Sequence, residues 1–330
     1  MIELIAFILI FLAGFLVTFL VTPKLIKRFH AKNLNGKDMN KFEKPLVAEL
    51  GGIPVIFGFA FAIMIAIGFF TYTPFNNIEL VVLLAGFTTM LLIGFIGVVD
   101  DLIGWKKGIR QWQHALFPVF AALPLMALNV GSKIMVFPFI GEVNFGIVYS
   151  LILIPFGVSA AANAFNLLAG FNGLEIGMGV ITSVTLLVIA LLLGRIEVVI
   201  LLAAWLGALI GIFYFNWFPT KIFVGDAVTL MNGAMLASAA IIGNMEKVGI
   251  ALIALLFIEL IFKARHKFQS ECFGIPQKDG TLRPRPEGGS FTHWVMRRGN
   301  FTEKQVVLII LSIHAVISFA VGFSFLMGWF

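Results

Sequence analysis

Charge is scarce in this sequence. Of 330 residues, 12% are Asp, Glu, Lys or Arg and 60% are hydrophobic, where soluble domains carry about 25% and about 45–50% respectively. A soluble globular class is therefore excluded, and the mean hydropathy of +1.03 says the same. Cysteine is nearly missing: Cys272 stands alone, so no internal disulfide framework exists. No thiolate or histidine cluster supports zinc, and no Walker-type glycine loop is present. The net charge of +6 could point to nucleic acid. However, no basic stretch alternates with aromatics as a base-stacking platform would, so no nucleic-acid partner is expected.

What the chain has instead is apolar length. Ten stretches are long and uncharged enough to read as membrane spans: Leu4–Thr22, Leu50–Phe70, Leu80–Val99, Trp112–Val130, Gly146–Ala162, Leu174–Leu193, Val198–Phe215, Phe223–Ile242, Val248–Phe262 and Val306–Phe330. The first is read as a retained anchor, because Glu3 precedes it while Lys24, Lys27 and Arg28 follow it. Of the 23 basic residues, 20 fall in the segments after odd-numbered spans. The positive-inside rule then places those segments in the cytoplasm and both termini outside. The expectation is an all-α polytopic protein of the cell membrane, a single domain over residues 1–330, with about ten transmembrane helices and an active site formed by cytoplasmic loops. The one sizeable polar insertion, residues 264–304, reads as a substrate-binding element. Turns are expected at Lys278-Asp279-Gly280 and Gly288-Gly289, and the Arg283–Pro286 run cannot be helical.

In so apolar a chain each polar residue near the membrane is informative. Four clusters all fall on the expected cytoplasmic side. Asp100-Asp101 closes a span: either a solvated helix end, or a carboxylate pair that binds a metal or accepts a proton. Asn163 to Glu175 holds three asparagines and two glycines. It is either helix-to-helix glue or a broken helix offering amides and N–H groups to an anionic or uracil-like ligand. Asp226 lies just inside a span, and an unpaired carboxylate there implies a metal or cationic partner unless it is satisfied in the core. The last loop carries Arg283, Arg285, His293, Arg297 and Arg298. Anionic headgroups account for Arg297 and Arg298, while Arg283 and Arg285, stiffened by prolines, suit a pyrophosphate. Glu259 and His314, isolated in spans, read as helix–helix contacts. Carboxylate and amide oxygens suit Mg²⁺ and arginines suit phosphate, which together describe a phosphoryl-transfer site where a lipid headgroup meets a soluble nucleotide. The rival from another class is a transporter, since broken polar helices also describe one. A CDP-alcohol phosphotransferase would need several aspartates on one helix, and none carries them.

At these residues the sequence resembles the polyprenyl-phosphate N-acetylhexosamine-1-phosphate transferases (glycosyltransferase family 4), in particular the branch with the eukaryotic UDP-GlcNAc–dolichyl-phosphate enzyme. The matching blocks are Lys37–Lys41, Glu49–Gly52, Asp100-Asp101, Asn163–Glu175 and Phe215–Asp226, in family order. The resemblance implies ten spans and transfer of GlcNAc-1-phosphate from UDP-GlcNAc to a dolichyl-type polyprenyl phosphate, releasing UMP, as the first membrane step of glycan assembly such as N-glycosylation. Another UDP-N-acetylhexosamine, for cell-wall or polysaccharide synthesis, is the alternative donor. It further implies Mg²⁺, or Mn²⁺ in its place, on Asn166 and Asp226, with Asp100 and Asp101 catalytic. Gly170, Asn172 and Phe223 correspond to uridine contacts. Lys41, Glu49, Arg110, Arg283, Arg285 and His293 correspond to further substrate-binding positions. The partners are the sugar nucleotide and the lipid phosphate, and a homodimer is compatible. Two departures stand out. Ala169 and Asn172 replace aspartates of the bacterial peptidoglycan branch, which disfavours a muramyl-pentapeptide substrate. The family lysine beyond Asp100-Asp101 has no direct counterpart, leaving Lys107, Arg110 or His114 for its role.

Overall fold

The protein is seen here as a computed structural model that describes residues 2–73, 78–103, 110–137 and 140–329. Lys107 lies outside the described residues.

Helix α1 (Ile2–Ala31) continues past the expected end at Thr22, through Pro23, so its basic residues ride on its last turns. A two-stranded ribbon follows, β1 (Asn35–Lys37) with β2 (Leu46–Ala48). Then come α2 (Gly52–Tyr72), α3 (Leu80–Ile103), α4 (Gln111–Ala121) and α5 (Leu123–Ala127). A hairpin, β3 (Ile134–Phe137) with β4 (Gly141–Asn144), precedes a π-helical turn at Tyr149–Leu153 that runs into α6 (Ile154–Leu167). The chain continues with α7 (Leu174–Leu192), α8 (Ile196–Asn216), α9 (Gly225–Gly243), α10 (Glu246–Leu252) and α11 (Ala254–Arg265). The last polar segment folds as a small sheet of β5 (Ile275–Pro276), β6 (Thr281–Arg283) and β7 (Phe301–Thr302), with helix α12 (Phe291–Met296) before β7. Helix α13 (Glu303–Leu326) ends the described chain.

The all-α membrane architecture stands, with one adjustment to the span count. Among the described residues eight helices are long and apolar enough to cross a membrane. The expected fourth span is two short helices, α4 and α5. The division falls at Ala122, where Pro124 sits in the first turn of α5, while α4 continues through Pro118. The expected ninth span divides at Ile253 into α10 and α11. The expected turn at Lys278-Asp279-Gly280 joins β5 to β6, and the Arg283–Pro286 run is non-helical.

Helix α9 occupies the centre, packed by α2, α3, α6, α7 and α8. Its run of Gly, Ala and Ser lets neighbours approach closely. At Gly97 a Cβ would sit 2.7 Å from the carbonyl carbon of Asp226, so only glycine lets the end of α3 lie against the start of α9. Large apolar side chains on α1, α2, α3 and α13 point outward and are exposed, the surface a bilayer covers. The helices alternate in direction. The ends of α1, α3, α6, α8 and α11 therefore share one end of the bundle with the starts of α2, α4, α7, α9 and α13, and the polar clusters assemble there.

Candidate active site

The first cluster forms where α3 ends and α9 begins. The Asp101 carboxylate accepts the backbone N–H groups of Asp226 (2.8 Å) and Ala227 (3.4 Å). It thus caps the start of α9 from another helix, satisfying donors the helix cannot bond itself. Gly225, at φ +68°, keeps its backbone against that carboxylate, where a Cβ would collide. Asp100 and Asp226 face each other across a small space. His114, from α4, puts Nε2 3.2 Å from Asp100 and 3.9 Å from Asp226. Asn166, near the end of α6, donates its NH2 to Asp226 (3.1 Å), and its amide oxygen accepts the Thr229 hydroxyl (3.2 Å). Ligand atoms of Asp100, His114 and Asp226 all lie within 4.8 Å of one another. The two carboxylates, with the Asn166 amide beside them, fit a hard divalent cation such as Mg²⁺ or Mn²⁺.

The second cluster ties three segments together. Asp38 accepts the Asn172 amide (3.0 Å) and pairs with Lys41 (3.3 Å). Lys41 also pairs closely with Glu303 at the start of α13 and lies 4.2 Å over the Phe218 ring. Glu303 accepts the backbone N–H of Asn172 (3.0 Å), and Glu175 accepts that of Gly170 (2.5 Å). Asn40 bridges outward, donating to the Gly170 carbonyl (3.0 Å) and accepting from Gly274 N–H (3.1 Å). The break expected between α6 and α7 is thus present and held on all sides, with φ of +114° at Gly170 and +83° at Gly173.

Phe223 is tied by its backbone to the residues on either side of Glu49 and Leu50. Phe223 N–H donates to Ala48 (2.8 Å) and its carbonyl accepts Gly51 N–H (2.8 Å). Burial raises the Glu49 carboxyl above the usual range. In the last segment, Arg285 is paired with Glu271 (2.9 Å), while Arg283 sits exposed on β6. His293 is 1% exposed, with Nε2 3.1 Å from the Phe273 carbonyl, and burial lowers its pKa. The Phe273 ring lies against Gly170. His293 therefore props the segment under that loop. Arg110 is exposed just before α4.

The family profile of glycosyl transferase family 4 matches residues 82–244, which hold both Asp100-Asp101 and Asp226. A Sulfolobus acidocaldarius protein named as a UDP-N-acetylglucosamine–dolichyl-phosphate N-acetylglucosaminephosphotransferase is 36% identical over 327 residues, covering 95% of this chain and 94% of its own. The chain belongs to glycosyl transferase family 4. A Saccharolobus solfataricus protein of the same name is 34% identical over 95% of both chains. A Limosilactobacillus reuteri phospho-N-acetylmuramoyl-pentapeptide-transferase is 31% identical over 72% of this chain and 75% of its own.

For this family member, the structure brings Asp100, Asp101, Asn166 and Asp226 together, and separately Lys41, Gly170 and Asn172. Sequence reasoning misses Asp38, Asn40 and Glu303. The Thr302–Gln305 capping box marks the start of α13 and so places Glu303 in its first turn, a signal that could have found it. Glu259, expected as a helix–helix contact, joins α11 to α12 by accepting the N–H of Phe291 (2.6 Å), and so anchors the last segment with Lys263 and Cys272 beside it. Burial pushes the Cys272 thiol up to about 11. His314 does join two helices, 2.9 Å from Thr182.

Proposed function

We propose that this chain transfers N-acetylglucosamine 1-phosphate from UDP-GlcNAc to a dolichyl-type polyprenyl phosphate, releasing UMP, at the cytoplasmic face of the cell membrane. The observation that carries the reading is the Asp100–His114–Asp226 cluster beside the broken α6–α7 loop, at one end of a membrane bundle. The names of the two archaeal relatives support the substrates, and the one-sided distribution of basic residues supports the orientation.

Asp226 and Asp100 would hold Mg²⁺, with Asn166 beside them. Turning the Asn166 amide over would offer its oxygen to the same space. When bound, the ion supplies charge neutralisation for the pyrophosphate. Asp101, bonded to the first N–H groups of α9, would fix where Asp226 sits beside that ion. The Gly170 backbone and the half-buried Phe223 ring would meet the uridine. Asn172, bonded to Asp38, would shape that pocket through the loop and reach the nucleotide only by exchanging Asp38. Arg283 is free to swing over the phosphates, whereas Arg285 would first have to leave Glu271. The lipid phosphate, already ionised at neutral pH, then needs alignment and charge stabilisation more than proton removal. The test is mass spectrometry of the lipid formed by purified protein from UDP-GlcNAc and polyprenyl phosphate. Polyprenyl-PP-GlcNAc with equimolar UMP is expected, and no such lipid with active controls would reject the reading.

A further inference from the structure

Pro118 and Asn163 bear on a single atom. Proline has no N–H, so the carbonyl four residues earlier in α4, that of His114, loses its helical donor. Helix α6 replaces it: the Asn163 NH2 donates to the His114 carbonyl (2.9 Å) and, with its other hydrogen, to Ser159 in its own helix (2.9 Å). Both partners are carbonyl acceptors, so only the NH2 can face them. One turn away on the same face, the Ser159 hydroxyl donates to the next carbonyl of α4, Ala115 (2.6 Å). Two successive carbonyls of a short helix are thus gripped by its neighbour. The outer face of α4, with Trp112, Leu116 and Phe120, is exposed, so its rotation depends on this inner grip. The result at the side chain is His114 Nε2 aimed at Asp100. Its Nδ1 is buried and meets no hydrogen-bond partner among the described residues, so Nε2, facing the Asp100 carboxylate, is the nitrogen that offers a hydrogen.

We infer that His114 turns its Nε2–H from Asp100 to a phosphate oxygen arriving beside the Asp100–Asp226 pair, and that Asn163 is the positioning residue that holds the ring there through the carbonyl Pro118 leaves open. The inference rests on the phosphoryl-transfer reading above. It assigns the role left open between Lys107, Arg110 and His114 to His114. The oxygen belongs either to the lipid phosphate or to the sugar nucleotide, and the two differ in which KM responds.

The experiment is steady-state UMP release by detergent-purified variants, varying each substrate in turn. Asn163→Ala should lower kcat/KM about tenfold, or about 1.4 kcal/mol. Adding Pro118→Ala to that variant should bring it back to within about threefold of the starting protein, because alanine at that position supplies the missing helical N–H. In a His114→Ala background, Asn163→Ala should cost nothing further. A rise in KM for the lipid alone assigns the oxygen to the acceptor, and a rise in KM for UDP-GlcNAc alone assigns it to the donor. No rescue by Pro118→Ala, or the same tenfold loss without His114, overturns the inference. If Asn163→Ala cannot be purified, Ser159→Ala carries the test. About a threefold loss is expected, present only with His114 in place, and an equal loss in both backgrounds overturns it. Absence of UMP release by the unmodified protein removes the reading and the inference together, while turnover without rescue removes the inference alone.

Discussion

The two acid-rich clusters at the same end of the bundle are built from similar residues and differ in how their charge is answered. Around Asp38 and Glu303, each carboxylate has dedicated donors: Lys41 between them, the Asn172 amide and N–H, and the Asn40 N–H on Asp38 at 3.2 Å. Around Asp226, one amide hydrogen and one imidazole meet a carboxylate that also faces Asp100. The Asp38 and Glu303 carboxylates are also buried, whereas the Asp226 side chain is 28% exposed, so an incoming ligand can reach it. The first arrangement is a lock and the second is a receptor. Asp101 belongs with the locks although it adjoins Asp100, since two backbone N–H groups occupy it.

This contrast is breakable. Asp226→Ala should reduce UMP release by about 10²–10³-fold, the scale of losing one charge-stabilising group, with a melting temperature in detergent no lower than the starting protein's. Lys41→Ala should show the opposite emphasis. It leaves Asp38 and Glu303 facing each other, and thermal unfolding should report a loss of about 2 kcal/mol. That is below the 3–5 of fully buried pairs, because Lys41 is partly exposed. Gly97→Ala sharpens the comparison by moving α3 from α9. The Asp100–Asp226 geometry changes while the Lys41 cluster does not, so kcat should fall about tenfold at a stability cost of about 1–3 kcal/mol. The smallest effect concerns His293. Burial holds its pKa below the ordinary value of about 6.5. The unfolded chain therefore takes up a proton that the folded chain refuses as pH falls through about 6.5, and the stability from this site is intact above that pH and lost below it. His293→Gln should flatten the decline of melting temperature between about pH 7 and pH 5.

Much of the fold and part of the site are legible in the sequence alone. Apolar length marks α1 to α3 and α6 to α9 because lipid demands uninterrupted runs, and over Trp112–Val130 it gives no sign of the division at Ala122 into α4 and α5. Asp100, Asn166 and Asp226 stand out because charge and amides at a span end are costly unless a partner or ligand meets them. His114 and Glu303 are harder to find: one looks interfacial and the other looks like part of a basic loop. Their partners lie on other elements, Asp100 and Asp226 for His114 and Asn172 for Glu303, and only packing brings them together. Pro118 frees a carbonyl within α4, and nothing local in the sequence says which side chain answers it.

The most direct measurement is Mn²⁺ binding followed by electron paramagnetic resonance on purified protein without substrate, in the unmodified chain, Asp226→Ala and Lys41→Ala. The account predicts one bound ion in the unmodified protein, retained in Lys41→Ala and lost in Asp226→Ala. Binding that survives Asp226→Ala, or that disappears with Lys41→Ala while the fold is intact, would contradict it.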